Sequence, residues 1–256
     1  MLKSLKPLRH AEHGTLLLQA ATDYGFARDL LMAPLALPEL ARAACEFPIV
    51  FPTKGHPVAA LMGLEAGCNA YVAPSGKWMA RHVPAFLRQY PFGMARLKPA
   101  ADGSQRYTIL LDTESPLLSL DKGKPLFNAD KSTTEVVASA MKLMDLFEKS
   151  LPLMQSTVAA MEEAGVLVER VIRLQGEGGK GRRVGGIRVV DEQKFNALKD
   201  KNFNALRKAG ALPVVYAHLL SWSHFRQGPI GRAYPRAVQS DAGAAAAKPA
   251  KAASTS

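Results

Sequence analysis

The stretch that decides the fold runs from Glu46 to Phe92 and reads EFPIVFPTKGHPVAALMGLEAGCNAYVAPSGKWMARHVPAFLRQYPF. It holds runs of strand-like composition that alternate with turn signals. These runs are Ile49–Phe51, Val58–Leu64 and Asn69–Val72. The second run is apolar throughout, which is typical of a strand buried on both faces. Short turns between consecutive strands favour antiparallel pairing, so this stretch predicts a β-rich N-terminal half.

A long central helix is predicted to begin at Ser132. Ser132 and Glu135 have the spacing of a capping box, in which each side chain bonds the backbone N–H of the other residue. Apolar residues then recur with a helical period, at Val136, Val137, Ala140, Met141, Leu143, Met144 and Phe147. Pro152 is expected to kink or split this helix, and Gly165 is expected to end it.

The C-terminal part predicts a β-hairpin followed by helices. Val166–Leu174 and Val184–Val190 are β-rich runs joined by a glycine-rich loop. Asp191 is a candidate N-cap for a helix reaching about Ala209, and Leu212–Phe225 reads as a final helix. The whole pattern predicts an α+β fold: a largely antiparallel N-terminal half, a long central helix, a hairpin and C-terminal helices in a single domain.

The domain organisation follows from composition. Residues 1–14 carry three basic residues around one proline and are predicted to form a flexible basic arm. Residues 15–236 form the α+β domain. Residues 237–256 are rich in alanine, lysine, proline and serine without apolar anchors, and are predicted to be disordered because nothing offsets their ordering entropy.

Charge and cysteine content bound the partners and the compartment. The formal net charge of +11 allows nucleic acid, anionic lipid or an acidic protein as partner, but the basic residues are scattered and no nucleic-acid-binding motif accompanies them. No apolar run reaches the roughly 20 residues of a membrane span. Cys45 and Cys68 make no disulfide framework and are expected to be small buried side chains. We therefore expect a cytoplasmic protein, with no specific nucleic-acid binding and no transmembrane segment.

The sequence offers several incomplete catalytic patterns. Gly176–Gly181 matches G-x-G-x-x-G, but a dinucleotide loop needs a helix after it and Arg182–Val190 is β-like. His218 and His224 lie six residues apart, about 120° around a helix, which does not suit two ligands of one ion. A buried His218 bonded to a backbone carbonyl is the favoured interpretation. We expect no metal and no cofactor.

The candidate binding residues are Trp78, Arg81, Arg88 and Tyr90. The two arginines are seven residues apart and would share one face of a helix that begins before Pro84. With the aromatic rings they could grip a carboxylate or stack on a flat ligand. The alternative is a pair of surface arginines whose stems cover their aromatic neighbours.

A methionine-rich stripe on the central helix has two interpretations as well. Met141, Met144, Met154 and Met161 could form an adaptable groove for a partner peptide, or simply part of the core, which we favour.

Three segments resemble the SapC family of bacterial surface-array (S-layer) proteins. They are EFPIVF with PVAALMGLEAGCNAYV, then GKWMARHVPAFLRQYPF, and the C-terminal segment from Gly186 to Ser221. The resemblance spans about Leu16 to Phe225; Cys68 and Ala70 depart from it. It implies an accessory or substrate-binding role, linked by the family name to surface-layer biogenesis and by gene neighbourhood to oxygenase- and halogenase-type enzymes. It supplies no catalytic residues.

Two functions therefore stand side by side. The first is a non-enzymatic accessory protein that binds a protein or peptide partner, and a homo-oligomer is compatible with this hypothesis. The alternative is an enzyme with a cryptic site that uses His82 or His218 together with an acidic group.

Overall fold

The computed structural model describes residues 2–100, 102–175 and 181–241 of the chain. The strands in this part are β1 (Leu5–Pro7), β2 (Leu17–Leu18), β3 (Met32–Pro34), β4 (Ile49–Pro52), β5 (Ala59–Leu61), β6 (Phe92–Arg96), β7 (Tyr107–Asp112), β8 (Leu118–Ser119), β9 (Lys124–Pro125), β10 (Leu167–Gln175), β11 (Gly181–Val190) and β12 (Val238–Asp241). The α-helices are α1 (His10–His13), α2 (Leu40–Ala44), α3 (Ala85–Arg88), α4 (Glu135–Glu163), α5 (Glu192–Asn196), α6 (Asp200–Lys208), α7 (Leu212–Ser221), α8 (His224–Gln227) and α9 (Pro229–Ala233). Short 3-10 turns lie at Gly25–Ala27 and Leu37–Glu39.

The described strands form three antiparallel sheets. The largest has the order β12-β10-β11-β4-β5-β3, and two smaller sheets have the orders β1-β7-β6 and β8-β2-β9. In the large sheet, Phe51 of β4 pairs with Arg188 of β11, so the N-terminal strands and the C-terminal hairpin share one sheet. Helices make up about 35% of the described residues and strands about 23%, which confirms the predicted single-domain α+β fold.

Helix α4 joins two hydrophobic clusters. Its first half contributes Val137, Ala140 and Met144 to a small cluster under the β1-β7-β6 sheet. Its second half contributes Met154, Val158 and Met161 to the main cluster under the large sheet. The 3.6-residue period aligns each set along one side of the helix, so one continuous helix can anchor both clusters.

The start of the central helix and the effect of Pro152 were predicted with errors, whereas its end was predicted correctly. The predicted capping box at Ser132 is wrong: Thr134 is the N-cap, and the Ser132 hydroxyl donates to Asp130 instead. Pro152 does not split the helix, because packing of both halves outweighs the single backbone hydrogen bond that proline removes. Gly165, with φ 71°, follows the last helical turn as predicted.

The C-terminal helices are shorter than predicted. The Asp191 carboxylate accepts the backbone N–H of Lys194, which confirms Asp191 as an N-cap. The helix it begins ends at Asn196, and α6 starts separately at Asp200. Likewise, the predicted helix Leu212–Phe225 ends at Ser221, before the short helix α8.

The two ends of the described chain are attached to sheets. The Leu5–Pro7 part of the predicted arm pairs with β7, and the Asp112 carboxylate accepts the backbone N–H groups of Lys3 and Ser4. At the other end, β12 pairs with β10, so the described strands extend to Asp241. The rest of the predicted disordered tail, from residue 242, and Gly176–Lys180 of the glycine-rich loop lie outside the described residues.

Among the described helices, none combines the length and the apolarity that a bilayer-crossing segment needs.

Candidate functional site

The four sequence-predicted binding residues separate into a buried pair and an exposed pair. Trp78 and Tyr90 are only 9% and 5% exposed, whereas Arg81 and Arg88 lie at the surface. The Trp78 indole N–H donates to the backbone carbonyl of His82 at 2.9 Å, and the Tyr90 hydroxyl donates to Asp112 at 3.4 Å. Both aromatic side chains are thus held by internal hydrogen bonds, as buried Trp and Tyr usually are.

The two arginines do not share a helix face. Helix α3 begins at Ala85 with Pro84 as its N-cap, so Arg81 precedes the helix and the predicted seven-residue spacing along it is wrong. The residue before a proline avoids the helical conformation, which explains why the helix cannot start earlier. The Arg88 guanidinium donates to the Val83 carbonyl at 3.1 Å, and the backbone N–H of Arg81 donates to Glu46 at 2.6 Å.

An aromatic cluster surrounds the buried pair. Phe26 stacks on Tyr90 with ring centroids 4.2 Å apart, and Tyr24 lies 5.4 Å from Trp78. Burial raises the pKa of Tyr24, against a smaller lowering by the positive charge of Arg88. This cluster packs a corner of the main core, and Arg81 and Arg88 are the members of the predicted site that can reach a partner.

Both histidines of the enzyme hypothesis have hydrogen-bond partners inside the protein. His82 Nε2 lies 3.0 Å from a Glu39 carboxylate oxygen, and this carboxylate also accepts the backbone N–H groups of Ala36 and Ala85. Glu39 is only 5% exposed. Its charge therefore holds two short helical turns and the His82 ring together, which explains why a buried carboxylate is tolerated here.

His218 connects three elements in the core. Its Nδ1–H donates to the carbonyl of Ile49 on β4 at 2.7 Å, and its Nε2 accepts the N–H of Val190 on β11 at 3.1 Å. Burial lowers its pKa to about 4, against a smaller raising effect of the Ile49 hydrogen bond. The ring is neutral near pH 7, both nitrogens are occupied, and the favoured interpretation of a backbone-bonded His218 is confirmed.

An open groove lies between α4 and the β6–β7 strands. This groove has a volume of about 590 Å³, within the range of ligand sites in proteins. Its lining residues are Met94, Tyr107, Ile109, Ala138, Met141, Lys142, Met144, Asp145, Glu148 and Lys149. The floor is apolar, and the rim carries charges of both signs.

The four methionines of the α4 stripe differ in burial. Met144, Met154 and Met161 are buried, as favoured, but Met141 is 43% exposed and lines the groove. The helical period of apolar residues identifies the apolar face of α4, but it does not show how much of that face the neighbouring sheet covers. The groove was therefore not predicted from the sequence. A usable signal was the mixture of Met141 with charged neighbours at helical spacing.

The arrangement of the potential metal ligands and the two cysteines in the described part of the chain gives little support to metal or thiol chemistry. Within the described ranges, no group of three or more His, Cys, Asp or Glu residues is placed to hold a metal ion. Cys45 and Cys68 are free and exposed, so their predicted burial is wrong. Cys45 is the C-cap of α2, and Cys68 follows the turn at residues 66–67.

Comparison with known proteins gives one match. No curated protein and no solved structure matches the chain. A family model described as SapC matches residues 8–227, which is most of the chain and includes β4, α3, α4 and the C-terminal hairpin. The protein therefore belongs to the SapC family.

Proposed function

We propose that this SapC-family protein is a non-enzymatic accessory protein that binds an amphipathic segment of a protein partner in the groove between α4 and the β6–β7 strands. The observation that carries the proposal is Met141: a flexible apolar side chain, 43% exposed, over an apolar floor that includes buried Met144. Methionine adapts its shape to different apolar partners, so it is common at surfaces that bind peptides.

The dimensions and charges of the groove favour a helical occupant. The α4 residues that line it run from Ala138 to Lys149, about 17 Å at 1.5 Å per residue, which is the length of about three helical turns. Lys142, Lys149 and Asp145 on the rim can meet polar residues beside the apolar face of such a helix. Binding of an amphipathic helix in a groove follows this pattern, with anchors spaced every three or four residues.

The predicted site at Trp78, Arg81, Arg88 and Tyr90 enters the proposal as a second contact. The exposed guanidiniums of Arg81 and Arg88 would pair with acidic groups of the partner, while Trp78 and Tyr90 hold the local backbone in place. Because Trp78 is buried, its replacement would disturb the core, so Arg81→Ala with Arg88→Ala is the clean test of this contact.

Site-specific photocrosslinking tests the groove. A photoreactive amino acid is placed at Met141 and, as the matched control, at Leu220 of α7, which is 74% exposed and outside the groove. We expect position 141 to capture a defined partner through an amphipathic segment, and Met141→Asp to weaken binding of the purified partner at least about tenfold, as at a central apolar anchor. Equal capture at both positions, or Met141→Asp binding as wild type, would contradict the proposal.

The enzyme hypothesis has weaker support. Neither His82 nor His218 lines the groove, and His218 has both ring nitrogens occupied by backbone groups. His82 is paired with the Glu39 carboxylate, which also accepts two backbone N–H groups. The protein could be linked to surface-layer biogenesis or to oxygenase- or halogenase-type enzymes. The identity of the partner captured by crosslinking would decide between these links.

A further inference from the structure

A second pocket, of about 200 Å³, lies beside the groove. Phe147 of α4 forms a wall of it and packs edge to face against both Phe86 and His56, with ring centroids 6.3 and 5.8 Å away. Gln89, which follows α3, and Glu148 of α4 also line it. The pocket therefore combines aromatic walls with polar side chains from three separate parts of the chain.

Two acceptors in this pocket have no hydrogen-bond partner. Among the residues that the structure describes, His56 Nε2 and Gln89 Oε1 are the buried side-chain atoms left unpaired, and both side chains line this one pocket. Gln89 is only 7% exposed. A buried polar atom without a partner costs about 1–3 kcal/mol, so finding both in one place indicates a missing donor rather than chance.

The protonation state of His56 follows from the hydrogen bond that its Nδ1 makes. His56 Nδ1 lies 2.9 Å from the carbonyl oxygen of Val58, which can only accept, so the proton resides on Nδ1 and Nε2 presents a lone pair. Burial lowers the pKa of His56, against smaller raising effects of the Val58 bond and the Glu39 charge, so the ring is neutral near pH 7. Both neutral acceptors thus belong to side chains that line the same pocket.

The surrounding charges favour a cation. No lysine or arginine lines this pocket in the described part of the chain, whereas the Glu148 carboxylate does. One oxygen of Glu148 already binds Arg96 and the Tyr107 hydroxyl, so its charge is partly neutralised and the two neutral acceptors remain the main polar contacts. The faces of Phe86 and Phe147 can add cation–π attraction.

We propose that this pocket binds a primary ammonium group at the end of an apolar chain, as in a free alkylamine or a lysine side chain. An ammonium has three N–H donors, enough for His56 Nε2 and Gln89 Oε1 together, whereas a hydroxyl group has one. The apolar chain would lie along Met94 and Met144, which the pocket shares with the groove. The proposal does not depend on a peptide occupying the groove.

A set of matched probes tests it on the unmodified protein. Pentylammonium, trimethylpentylammonium and 1-pentanol share one apolar chain, but only the first has a cationic head with N–H donors. In NMR titrations near pH 7.5, we expect pentylammonium to bind with a Kd on the order of 1–10 mM and to shift the amide signals of His56, Gln89 and Phe147. The other two probes should bind at least about tenfold more weakly, because each loses charge-assisted hydrogen bonds.

Other results overturn the proposal. Equal binding of pentylammonium and 1-pentanol would mean that the pocket selects only for apolar chains. No binding of any probe would mean that ordered water satisfies the two acceptors. Nα-acetyl-lysine methylamide, which keeps the side-chain ammonium, then separates the two sources of the ammonium. If it binds like pentylammonium, a lysine of a partner fits the pocket; if only pentylammonium binds, the ligand is a small molecule. Either result supports the ammonium site.

Two variants of Gln89 give an independent check. Gln89→Glu replaces the neutral acceptor by an anionic one of the same shape and should tighten pentylammonium binding about tenfold. Gln89→Met removes the acceptor and should weaken it at least about fivefold. Gln193→Met, at an exposed glutamine of α5 that lines neither the groove nor this pocket, is the matched control and should leave the Kd unchanged. An unchanged Kd for Gln89→Glu in a folded protein would overturn the assignment of Gln89, and the probe series does not depend on either variant.

Discussion

Acidification should destabilise this protein through His218, and the size of the effect follows from its surroundings. The ring is 1% exposed and its pKa is about 4, against an ordinary value of 6.5. The unfolded chain therefore takes up a proton at this residue as the pH falls through 6.5, while the folded chain does so only near 4. With about 1.4 kcal/mol per pKa unit, the free energy of unfolding should fall by about 3 kcal/mol from this residue alone across that interval.

His218→Gln isolates this contribution. Glutamine can still bond backbone groups but does not titrate, so its loss of stability between about pH 7.5 and 4.5 should be smaller than that of wild type by about 2–3 kcal/mol. Urea unfolding followed by fluorescence of Trp78 and Trp222 gives both values. His10→Gln, at an exposed histidine, is the matched control for the His-to-Gln replacement itself.

His218→Leu tests the hydrogen bonds rather than the charge. It leaves the Ile49 carbonyl and the Val190 N–H unpaired in the core, which should cost about 2–6 kcal/mol at neutral pH for two such groups. If His218→Gln lost as much stability on acidification as wild type, the pKa of His218 would have to be the same in the folded and unfolded states, and the structural role assigned to the buried neutral ring would be refuted.

Three further outcomes are expected. Asp112→Asn should lower the free energy of unfolding by about 2–4 kcal/mol, because this fully buried carboxylate accepts three backbone N–H groups and ties the start of the chain to β7; a urea midpoint equal to that of wild type would contradict this. Both exposed thiols, Cys45 and Cys68, should react with a thiol reagent in the native protein as fast as they do after unfolding, and slow reaction would show that they are covered. Despite the net charge of +11, duplex DNA and RNA should bind no tighter than about 10⁻⁵ M near 150 mM salt, and sub-micromolar binding in a fluorescence titration would reveal a basic surface that the scattered charges do not suggest.

The sequence predicted helix ends correctly where nearby residues alone determine them. The glycine at 165 follows α4 because a left-handed residue closes a helix, and Asp191 caps α5 through its own carboxylate. The run Val58–Leu64 is buried along its whole length, as its composition predicts, although only Ala59–Leu61 pairs as a strand. Strand pairing depends on neighbours that are distant in sequence, which a local pattern cannot supply.

The predicted binding residues illustrate the same limit. A dense group of Trp, Tyr and Arg looks alike in sequence whether its rings face solvent or the core. Here Phe26 and Tyr24, which lie 50 or more residues earlier in the chain, cover Tyr90 and Trp78 and decide the matter. The candidate pocket could not be predicted either, since His56 and Gln89 become neighbours only when α4 places Phe147 and Glu148 beside both.

The contrast among the histidines strengthens the case for a ligand beside α4. His218 has both nitrogens satisfied by backbone groups, and His82 is paired with a carboxylate that itself holds two backbone N–H groups. The fold thus provides partners for polar groups that it buries, as stability requires. His56 and Gln89 depart from this rule together, in one pocket, on the same side of α4 as exposed Met141. Since unpaired buried acceptors and an exposed flexible apolar side chain both lower stability or solubility in the free protein, their coincidence is best explained by occupants that satisfy them, and this side of α4 is where we expect partners of the protein to bind.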